Sequence, residues 1–354
     1  MNLLKNTKRD LSNICPPVVS DREGLDRLAQ LGMGFRGFRA LTLAIELEIF
    51  DSLEMAHGRL EFLSQKLCLL PHHLSQLLDV LVALGFLTKK ANIYRHTQFS
   101  RNWFRKVGSK SMARNLKFQS FLVQAYADLP KTFKRGRPTQ SLGRLLSRRK
   151  DFLTDYIAGM AEIAKGPSIV LAKSIDLRGV RQILDVGGGH GLFSLALLKK
   201  KSTLHADILD FPSTLEMTKK FIPSRRYKGR VSFLKGDYRS TPFRRRYYDL
   251  ILFSHVLHDE DPSTILLLLK KARAALAPTG KILIHDFFTN EEGLTPLFSL
   301  LLGFQLASYT TAGRCYSVKD LRFWLRETGF KSLWVKTINA NLPSATMAIL
   351  ARED

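Results

Sequence analysis

The chain has 354 residues, 45% of them hydrophobic, which is enough for two domains with apolar cores. No uncharged apolar stretch approaches the ~18 residues of a membrane span, and the N-terminus lacks the apolar run of a signal peptide. The three cysteines, Cys15, Cys68 and Cys315, share no metal-ligand spacing, so we expect a reduced cytoplasmic protein that binds no metal.

The N-terminal quarter has the pattern of a small helical module. Residues 1–25 lack hydrophobic periodicity and predict a flexible arm. Residues 26–105 contain three helical patterns and a hairpin, in the order of a winged helix: Gly37–Leu53, Leu60–Leu69, Pro71–Leu84 and Gly85–His96. Winged helices bind DNA or form dimers. The apolar stripe from Phe38 to Leu53 is wide for so small a module, so we predict a homodimer.

Residues 106–165 are amphipathic and predict bridging helices, and they carry much of the positive charge. The chain has a net charge of +24, and the segment Lys89–Lys150 alone holds 17 Lys or Arg and one acid, Asp128. A solvated basic surface explains this composition. The alternative is a docking face for an anionic partner, which would be a membrane surface, an acidic carrier protein or, less readily, nucleic acid.

From residue 166 to residue 354, short apolar strands alternate with helices. The predicted strands are Gln182–Val186, His205–Asp210, Val231–Leu234, Asp249–Ser254, Lys281–Asp286, Lys331–Lys336 and Thr346–Ala351. This alternation predicts an α/β, Rossmann-like fold with a mostly parallel sheet covered on both faces. The last two strands are separated by a short turn, Asn339–Pro343, and predict an antiparallel hairpin at the sheet edge.

A glycine turn follows the first of these strands. Its spacing, from Asp185 through Gly187 and Gly189 to Gly191, is Asp-x-Gly-x-Gly-x-Gly. The glycines permit a sharp turn and a close approach of a ligand to the backbone. The dinucleotide spacing Gly-x-Gly-x-x-Gly is not met, since its third glycine would fall on Leu192, and no Gly-Lys-Ser/Thr follows.

Acidic residues end the next two strands. Asp210 stands 19 residues beyond Gly191, where a carboxylate can accept both hydroxyls of a ribose. Asp237 follows the third strand and could meet an adenine amine. A single acid at such a place is commonly a helix cap, but three strand ends in this order indicate an adenosine site without a pyrophosphate.

Two histidines, His255 and His258, directly follow the fourth strand, where ligands of parallel sheets bind. A histidine here could also cap a helix or bond a backbone carbonyl.

At this point the chain resembles the plant-type small-molecule O-methyltransferases and their bacterial relatives, the caffeic acid and hydroxyneurosporene methyltransferase group. The matching motifs are Asp185–Gly191, Leu209–Pro212, Gly236–Tyr238, Val256–Asp259, Gly280–Asp286 and, in the N-terminal module, Ala44–Phe50 and Leu77–Phe86.

The resemblance implies S-adenosyl-L-methionine as the cofactor of a class I methyltransferase domain, over residues 166–354, behind a winged-helix dimerisation domain. It implies a set of cofactor-binding residues: Gly187, Gly188 and Gly189 for the cofactor as a whole, Asp210 for the ribose, and Asp237 and Tyr238 near the adenine.

The resemblance also implies His258 as general base, steadied by an acid. Asp286, at the tip of the fifth strand, could hold the imidazole tautomer, although the family often has glutamate there. A second steadying glutamate of the plant enzymes aligns with Cys315, and a lysine near the adenine aligns with Ser254. A thiol cannot orient an imidazole as a carboxylate does, so the plant arrangement is not expected at Cys315.

These residues suit transfer of a methyl group to a hydroxyl of an apolar or aromatic small molecule. A phenol titrates near ~10 and a histidine near ~6.5, so complete proton transfer costs about 5 kcal/mol and requires general-base catalysis. Alternatives are a relative with altered chemistry (C-methylation or hydroxylation), a nucleic-acid methyltransferase and a DNA-binding sensor of the cofactor. The segment Ser254–His258 lacks the Asn/Asp-Pro-Pro-aromatic run of N-methylating enzymes.

Overall fold

The computed structural model describes residues 20–108, 110–222, 224–338 and 346–352. Contacts divide these residues into two units: residues 20–127 with 154–163, and residues 128–153 with 164–352. Among the described helices, none combines the length and the hydrophobicity that crossing a bilayer requires. The turn predicted at Asn339–Pro343 and most of the predicted N-terminal arm lie outside the described residues.

The first unit contains the helices and the hairpin predicted for the winged helix. Its elements are α1 (Asp21–Glu46), α2 (Ile49–Ser52), α3 (Leu60–Leu67), α4 (Pro71–Ala83), β1 (Leu87–Lys90), β2 (Ile93–His96), α5 (Gln98–Trp103) and α6 (Ala113–Ala127). The hairpin turns at Ala91 and Asn92, both with positive φ, as a two-residue turn requires. The unit continues through α6, beyond the predicted boundary at residue 105.

Helix α1 departs from the sequence prediction in two ways. It begins at Asp21, inside the range predicted as an arm, because the Ser20 hydroxyl caps it by accepting from the Glu23 amide at 3.3 Å. The predicted uncovered stripe is also wrong, since its residues after Phe38 are buried in the core of this unit: Leu41, Ile45, Ile49 and Leu53. The exposed apolar side chains lie earlier in α1: Leu25, Leu28, Leu31, Met33 and Phe35.

The second unit carries the sheet. Its helices are α7 (Leu129–Arg135), α8 (Leu142–Arg148), α9 (Lys150–Ser174, central part in the first unit), α10 (Leu192–Lys200), α11 (Pro212–Phe221), α12 (Ser224–Tyr227), α13 (Pro262–Ala275), α14 (Leu297–Ala307) and α15 (Val318–Glu327). Its strands are β3 (Gln182–Val186), β4 (His205–Asp210), β5 (Val231–Lys235), β6 (Tyr248–Ser254), β7 (Leu276–Asp286), β8 (Ser332–Ile338) and β9 (Thr346–Arg352).

The seven strands have the order β5-β4-β3-β6-β7-β9-β8, and β3 to β7 run parallel. Strand β9 is antiparallel to both neighbours, which confirms the predicted hairpin at the sheet edge. Strand β7 begins five residues before the predicted Lys281, since an irregularity in register between Tyr248 and Leu250 accommodates the earlier segment. The direction of strand order reverses between β3 and β6, so the carboxyl ends of these strands open a crevice for ligands.

Candidate active site

The glycine turn connects β3 to α10 with the backbone bent back on itself. Gly187 and Gly189 have φ of +66° and +53°, in the left-handed region that favours glycine. Gly188 has no such φ, but an added Cβ would lie 2.6 Å from Ile208 Cγ2. Over Gly189, by contrast, the nearest atom to an added Cβ would be 3.9 Å away. The turn is therefore packed tightly underneath and open above, as a cradle for a ligand requires.

Asp185 supports this turn from within the core. Its carboxylate is 1% exposed and accepts a hydrogen bond from the Ser194 hydroxyl at 2.6 Å, across the turn at the start of α10. Burial raises the pKa of Asp185 to about 7. Asp185 therefore stabilises the glycine turn from the packed side, opposite the side that is open for a ligand.

Asp210 ends β4 beside the turn. One carboxylate oxygen accepts from the Gly189 amide at 2.9 Å, and the other accepts from the Phe211 amide at 2.7 Å. Burial raises the pKa of Asp210, although both amides favour the charged form. The sheet thus brings together the glycine turn and the acid that the sequence assigns to a ribose.

The two residues predicted near the adenine differ in their surroundings. Asp237 is engaged by Arg239, whose Nε and Nη2 donate to its carboxylate at 3.0 and 2.9 Å. Burial opposes the charge of Asp237, but Arg239 holds its pKa below the usual value. The Tyr238 ring lies beside the glycine turn, since a Cβ on Gly187 would be 3.4 Å from Tyr238 Cε1. Tyr238 therefore borders the cradle directly.

His258 lies in a 3₁₀ turn, Leu257–Asp259, just after β6. Its Nδ1 is 2.6 Å from Oδ1 of Asp286, the last residue of the adjacent strand β7. The backbone amide of His258 donates to the second oxygen of the same carboxylate at 3.3 Å. Asp286 is 2% exposed, and the amide of Phe287 also donates to it at 2.8 Å. The imidazole is thereby held at one nitrogen, and Nε2 remains for a ligand.

The charges around His258 make it unusually basic. Burial disfavours the imidazolium, but the carboxylates of Asp286 and Asp259 outweigh this effect and raise the pKa of His258 to about 9. Asp259 Oδ1 lies 3.8 Å from Nε2. Burial also opposes the charge of Asp286, yet His258 lowers the pKa of that carboxyl. The pair can therefore accept and hold a proton at Nε2.

His255 and His285 surround the pair without sharing its charge. Their ring centroids are 4.7 Å apart, and burial lowers the pKa of His285 to about 3 and that of His255 well below its usual range. His285 is hydrogen-bonded to the hydroxyls of Ser254 and Thr346. The Ser254 side chain is therefore engaged with the adjacent strand β7 at the carboxyl end of the sheet. His255 has φ of +58°, and its Nε2 is buried with no hydrogen-bond partner among the described residues. Both imidazoles stay neutral beside the charged one.

Cys315 cannot replace the aligned glutamate by charge. Burial and the nearby Asp286 raise the pKa of its thiol to about 12, so it stays protonated. The neighbouring Arg314 amide instead donates to the His258 carbonyl oxygen at 2.8 Å. The segment after α14 thus supports the histidine turn through its backbone.

Residues 127–331 match the O-methyltransferase domain, and residues 6–106 match the O-methyltransferase dimerisation domain. The chain belongs to the S-adenosylmethionine-dependent O-methyltransferases. Its relatives include the 3-hydroxy-5-methyl-1-naphthoate 3-O-methyltransferase of Streptomyces sahachiroi, which is 25% identical over 90% of this chain and 92% of its own length. The acetylserotonin O-methyltransferase of Bos taurus is 23% identical over 88% of this chain and 94% of its own length.

Solved structures agree with this fold. Human N-acetylserotonin methyltransferase in complex with SAM superposes with a TM-score of 0.80 at 22% identity, covering 95% of this chain and 99% of that one. PigF with SAH gives a TM-score of 0.83 at 21% identity, covering 95% and 100%. These findings confirm the predicted fold class, the dimerisation domain and S-adenosylmethionine as the cofactor of this O-methyltransferase.

Two features of the site were not predicted from the sequence. Asp259 lies near Nε2 of His258, and its position next to the histidine in the chain was a usable signal. Glu260 accepts a hydrogen bond from the Tyr238 hydroxyl at 2.5 Å, across 22 residues of sequence. No pattern in the sequence pairs these two side chains.

Proposed function

We propose that this O-methyltransferase methylates a hydroxyl of an aromatic or apolar small molecule, with His258 as the general base and Asp286 as its positioning acid. The observation that carries the proposal is the 2.6 Å contact between His258 Nδ1 and Asp286 Oδ1 at the carboxyl ends of adjacent strands. The names of two relatives, which specify a hydroxynaphthoate and acetylserotonin, support an aromatic acceptor.

We further propose that the backbone of Gly187, Gly188 and Gly189 holds S-adenosylmethionine, that Asp210 accepts the ribose hydroxyls and that Asp237 and Tyr238 border the adenine. The open side over Gly189 and the adjacent Asp210 carboxylate support this assignment. When bound, the cofactor supplies an activated methyl group on a positively charged sulfur. The task of the protein is then to align the acceptor oxygen and to receive its proton.

The charge of Asp286 helps to set the free-energy cost of moving a proton from the acceptor to His258. An ordinary imidazole lies ~3.5 pKa units below a phenol, which corresponds to about 5 kcal/mol. With the pKa of His258 at about 9, the gap to a phenol near ~10 shrinks to about one unit, or ~1.4 kcal/mol. The carboxylates of Asp286 and Asp259 together therefore make the histidine a base that matches a phenolic acceptor.

The proposed function is tested by incubating the enzyme with S-adenosylmethionine and a panel of hydroxylated aromatic compounds. We expect one equivalent of S-adenosylhomocysteine per methylated product, with the new methyl group on oxygen in the product's NMR spectrum. Some relatives are named for methylation at carbon or nitrogen. A methyl group on either of these atoms would contradict the proposal.

The pH dependence should follow the His258–Asp286 pair. Only neutral His258 accepts a proton, so kcat/KM for the acceptor should rise with pH, with a midpoint above the ordinary ~6.5 and up to about 9. A bound sulfonium lowers this midpoint, because like charge disfavours imidazolium. Asp286→Asn removes the carboxylate charge, so the midpoint should fall toward or below ~6.5, with a smaller loss of kcat than removal of the histidine itself.

The matched control is Asp320→Asn, which changes an acid of the same unit that caps α15. This variant should keep the wild-type pH profile. An unchanged midpoint in Asp286→Asn would contradict the assignment of Asp286, whatever its effect on rate.

We also propose that part of the basic segment docks on an anionic membrane surface, from a cytoplasmic location in which Cys68 and Cys315 remain free thiols. Eight of its cations form ion pairs: Lys89, Arg101, Arg105, Lys106, Arg114, Lys117, Lys131 and Arg149. Among the exposed cations for which the described residues provide no ion pair, five lie in and around α7 and α8: Lys134, Arg135, Arg137, Arg144 and Arg148. Phe133, 65% exposed, adds an apolar side chain that favours a lipid surface.

This docking should appear as co-sedimentation with phosphatidylserine-containing vesicles at low salt, with loss at high salt, because a surface cation contributes about 1 kcal/mol near anionic lipid. Reversing Arg135 and Arg137 to glutamate should abolish it. Reversing Arg225 and Lys228, which are also exposed, should not. If vesicles retain nothing, or if only an acidic protein retains the enzyme, the membrane proposal fails.

A further inference from the structure

The carboxylate of Glu260 is buried between the proposed adenosine site and the turn that carries His258. Glu260 is 6% exposed and follows His258 by two residues. Leaving a carboxylate at such a position is costly unless hydrogen bonds compensate for the lost hydration. Its strongest partner is the Tyr238 hydroxyl, which donates to Oε1 at 2.5 Å.

The other contacts of Glu260 fix it in place. The Tyr316 hydroxyl donates to the Glu260 backbone carbonyl at 2.7 Å, in a buried contact. Arg239 Nη1 is 3.9 Å from the carboxylate, too far for a hydrogen bond, and the guanidinium is already engaged by Asp237. The hydroxyl of Tyr238 therefore supplies the hydrogen bond to this carboxylate, and Arg239 adds a longer-range charge attraction.

Tyr238 is held at both of its ends. Lys271 Nζ donates to its backbone carbonyl at 2.5 Å, and Glu260 accepts from its hydroxyl. Between these anchors the ring stands 3.4 Å from the Cβ position of Gly187, and Val256 Cγ2 lies 2.9 Å from the same position. The ring thus forms a wall of the glycine cradle, and its angle depends on the hydroxyl contact.

We propose that Glu260 is a positioning residue for cofactor binding, which holds the Tyr238 ring against the glycine turn so that the adenosine meets a preformed wall. The inference rests on the proposed placement of the adenine beside Tyr238. Because Glu260 directly follows the turn that carries His258, the same hydrogen bond ties the cofactor wall to the proposed base. One partly buried hydrogen bond thereby links the two halves of the site.

The test is a double-mutant cycle read by calorimetric binding of S-adenosylhomocysteine. Glu260→Gln and Tyr238→Phe each remove the charged hydrogen bond, and each should weaken binding about three- to tenfold. The double variant should be no weaker than the poorer single variant, since both changes delete the same contact. In turnover, Glu260→Gln should raise KM for S-adenosylmethionine more than it lowers kcat.

The control is Glu216→Gln, an exposed glutamate that pairs with Lys219 outside the site, and it should leave affinity unchanged. Thermal unfolding without ligand identifies a variant that is simply misfolded, and Tyr238→Phe then serves as the second probe. Unchanged affinity in Glu260→Gln, or fully additive losses in the double variant, would overturn the inference. Failure of the wild type to bind S-adenosylhomocysteine would instead overturn the proposed function.

Discussion

Replacement of His258 by alanine should lower kcat for a hydroxylated aromatic acceptor by roughly 10²–10⁴-fold, the usual contribution of a general base. The imidazole is held by Asp286 at 2.6 Å through Nδ1, so Nε2 is the nitrogen that can receive a proton. The neighbouring His255 and His285 do not offer the same basicity, since burial lowers the pKa of both imidazoles. The loss should therefore not be compensated within the site.

Cofactor binding distinguishes a catalytic role from a structural one. His258→Ala should retain the wild-type affinity for S-adenosylhomocysteine, measured by calorimetry, because the transition state rather than the ground state needs the base. His205→Ala, an exposed histidine at the start of β4, should retain both binding and turnover. Wild-type turnover in His258→Ala would show that the proton leaves by another route.

The sheet and the ends of its strands could be predicted because their signals are local. Strands β3 and β4 have the predicted bounds, since buried apolar runs end at a glycine turn and at Asp210. The parallel order then places strand ends side by side, so separate motifs around residues 187, 210, 258 and 286 converge in one crevice. The pairing of His258 with Asp286 follows from the same geometry, since β6 and β7 are neighbours.

Contacts between side chains of distant loops could not be predicted in this way. The pair of Tyr238 with Glu260 depends on where two turns meet, 22 residues apart in the chain. The pair of Asp237 with Arg239 is local, but it depends on the rotamers of both side chains. The prediction of an uncovered apolar stripe was wrong for a related reason. Helical periodicity identifies an apolar face, but it does not say whether another helix of the same unit covers it. The true start of α1 did have a signal, the Ser20-x-x-Glu23 capping pattern.

Replacement of Asp210 by alanine should weaken S-adenosylhomocysteine binding by about 1.5–3 kcal/mol, or roughly 10- to 150-fold, because hydrogen bonds to a charged acceptor are lost. The carboxylate already accepts from the Gly189 and Phe211 amides, which aim it at the open side of the turn. Asp210→Asn retains the shape but offers one acceptor oxygen, so it should fall between alanine and wild type. Asp237→Asn should cost less, because Arg239 already satisfies that carboxylate.

Low pH should reproduce this loss of S-adenosylhomocysteine affinity in the wild type. Burial raises the pKa of Asp210, so its carboxylate becomes protonated at a higher pH than an ordinary aspartate, near ~3.9, does. The charged form accepts the ribose hydroxyls, so affinity should decline as pH falls toward that raised pKa, and Asp210→Asn should lose this dependence. Calorimetry across the acid range measures both effects, with unfolding followed in parallel to separate them from acid denaturation. Equal pH dependence in the wild type and Asp210→Asn, or full affinity in Asp210→Ala, would remove Asp210 from the cofactor site.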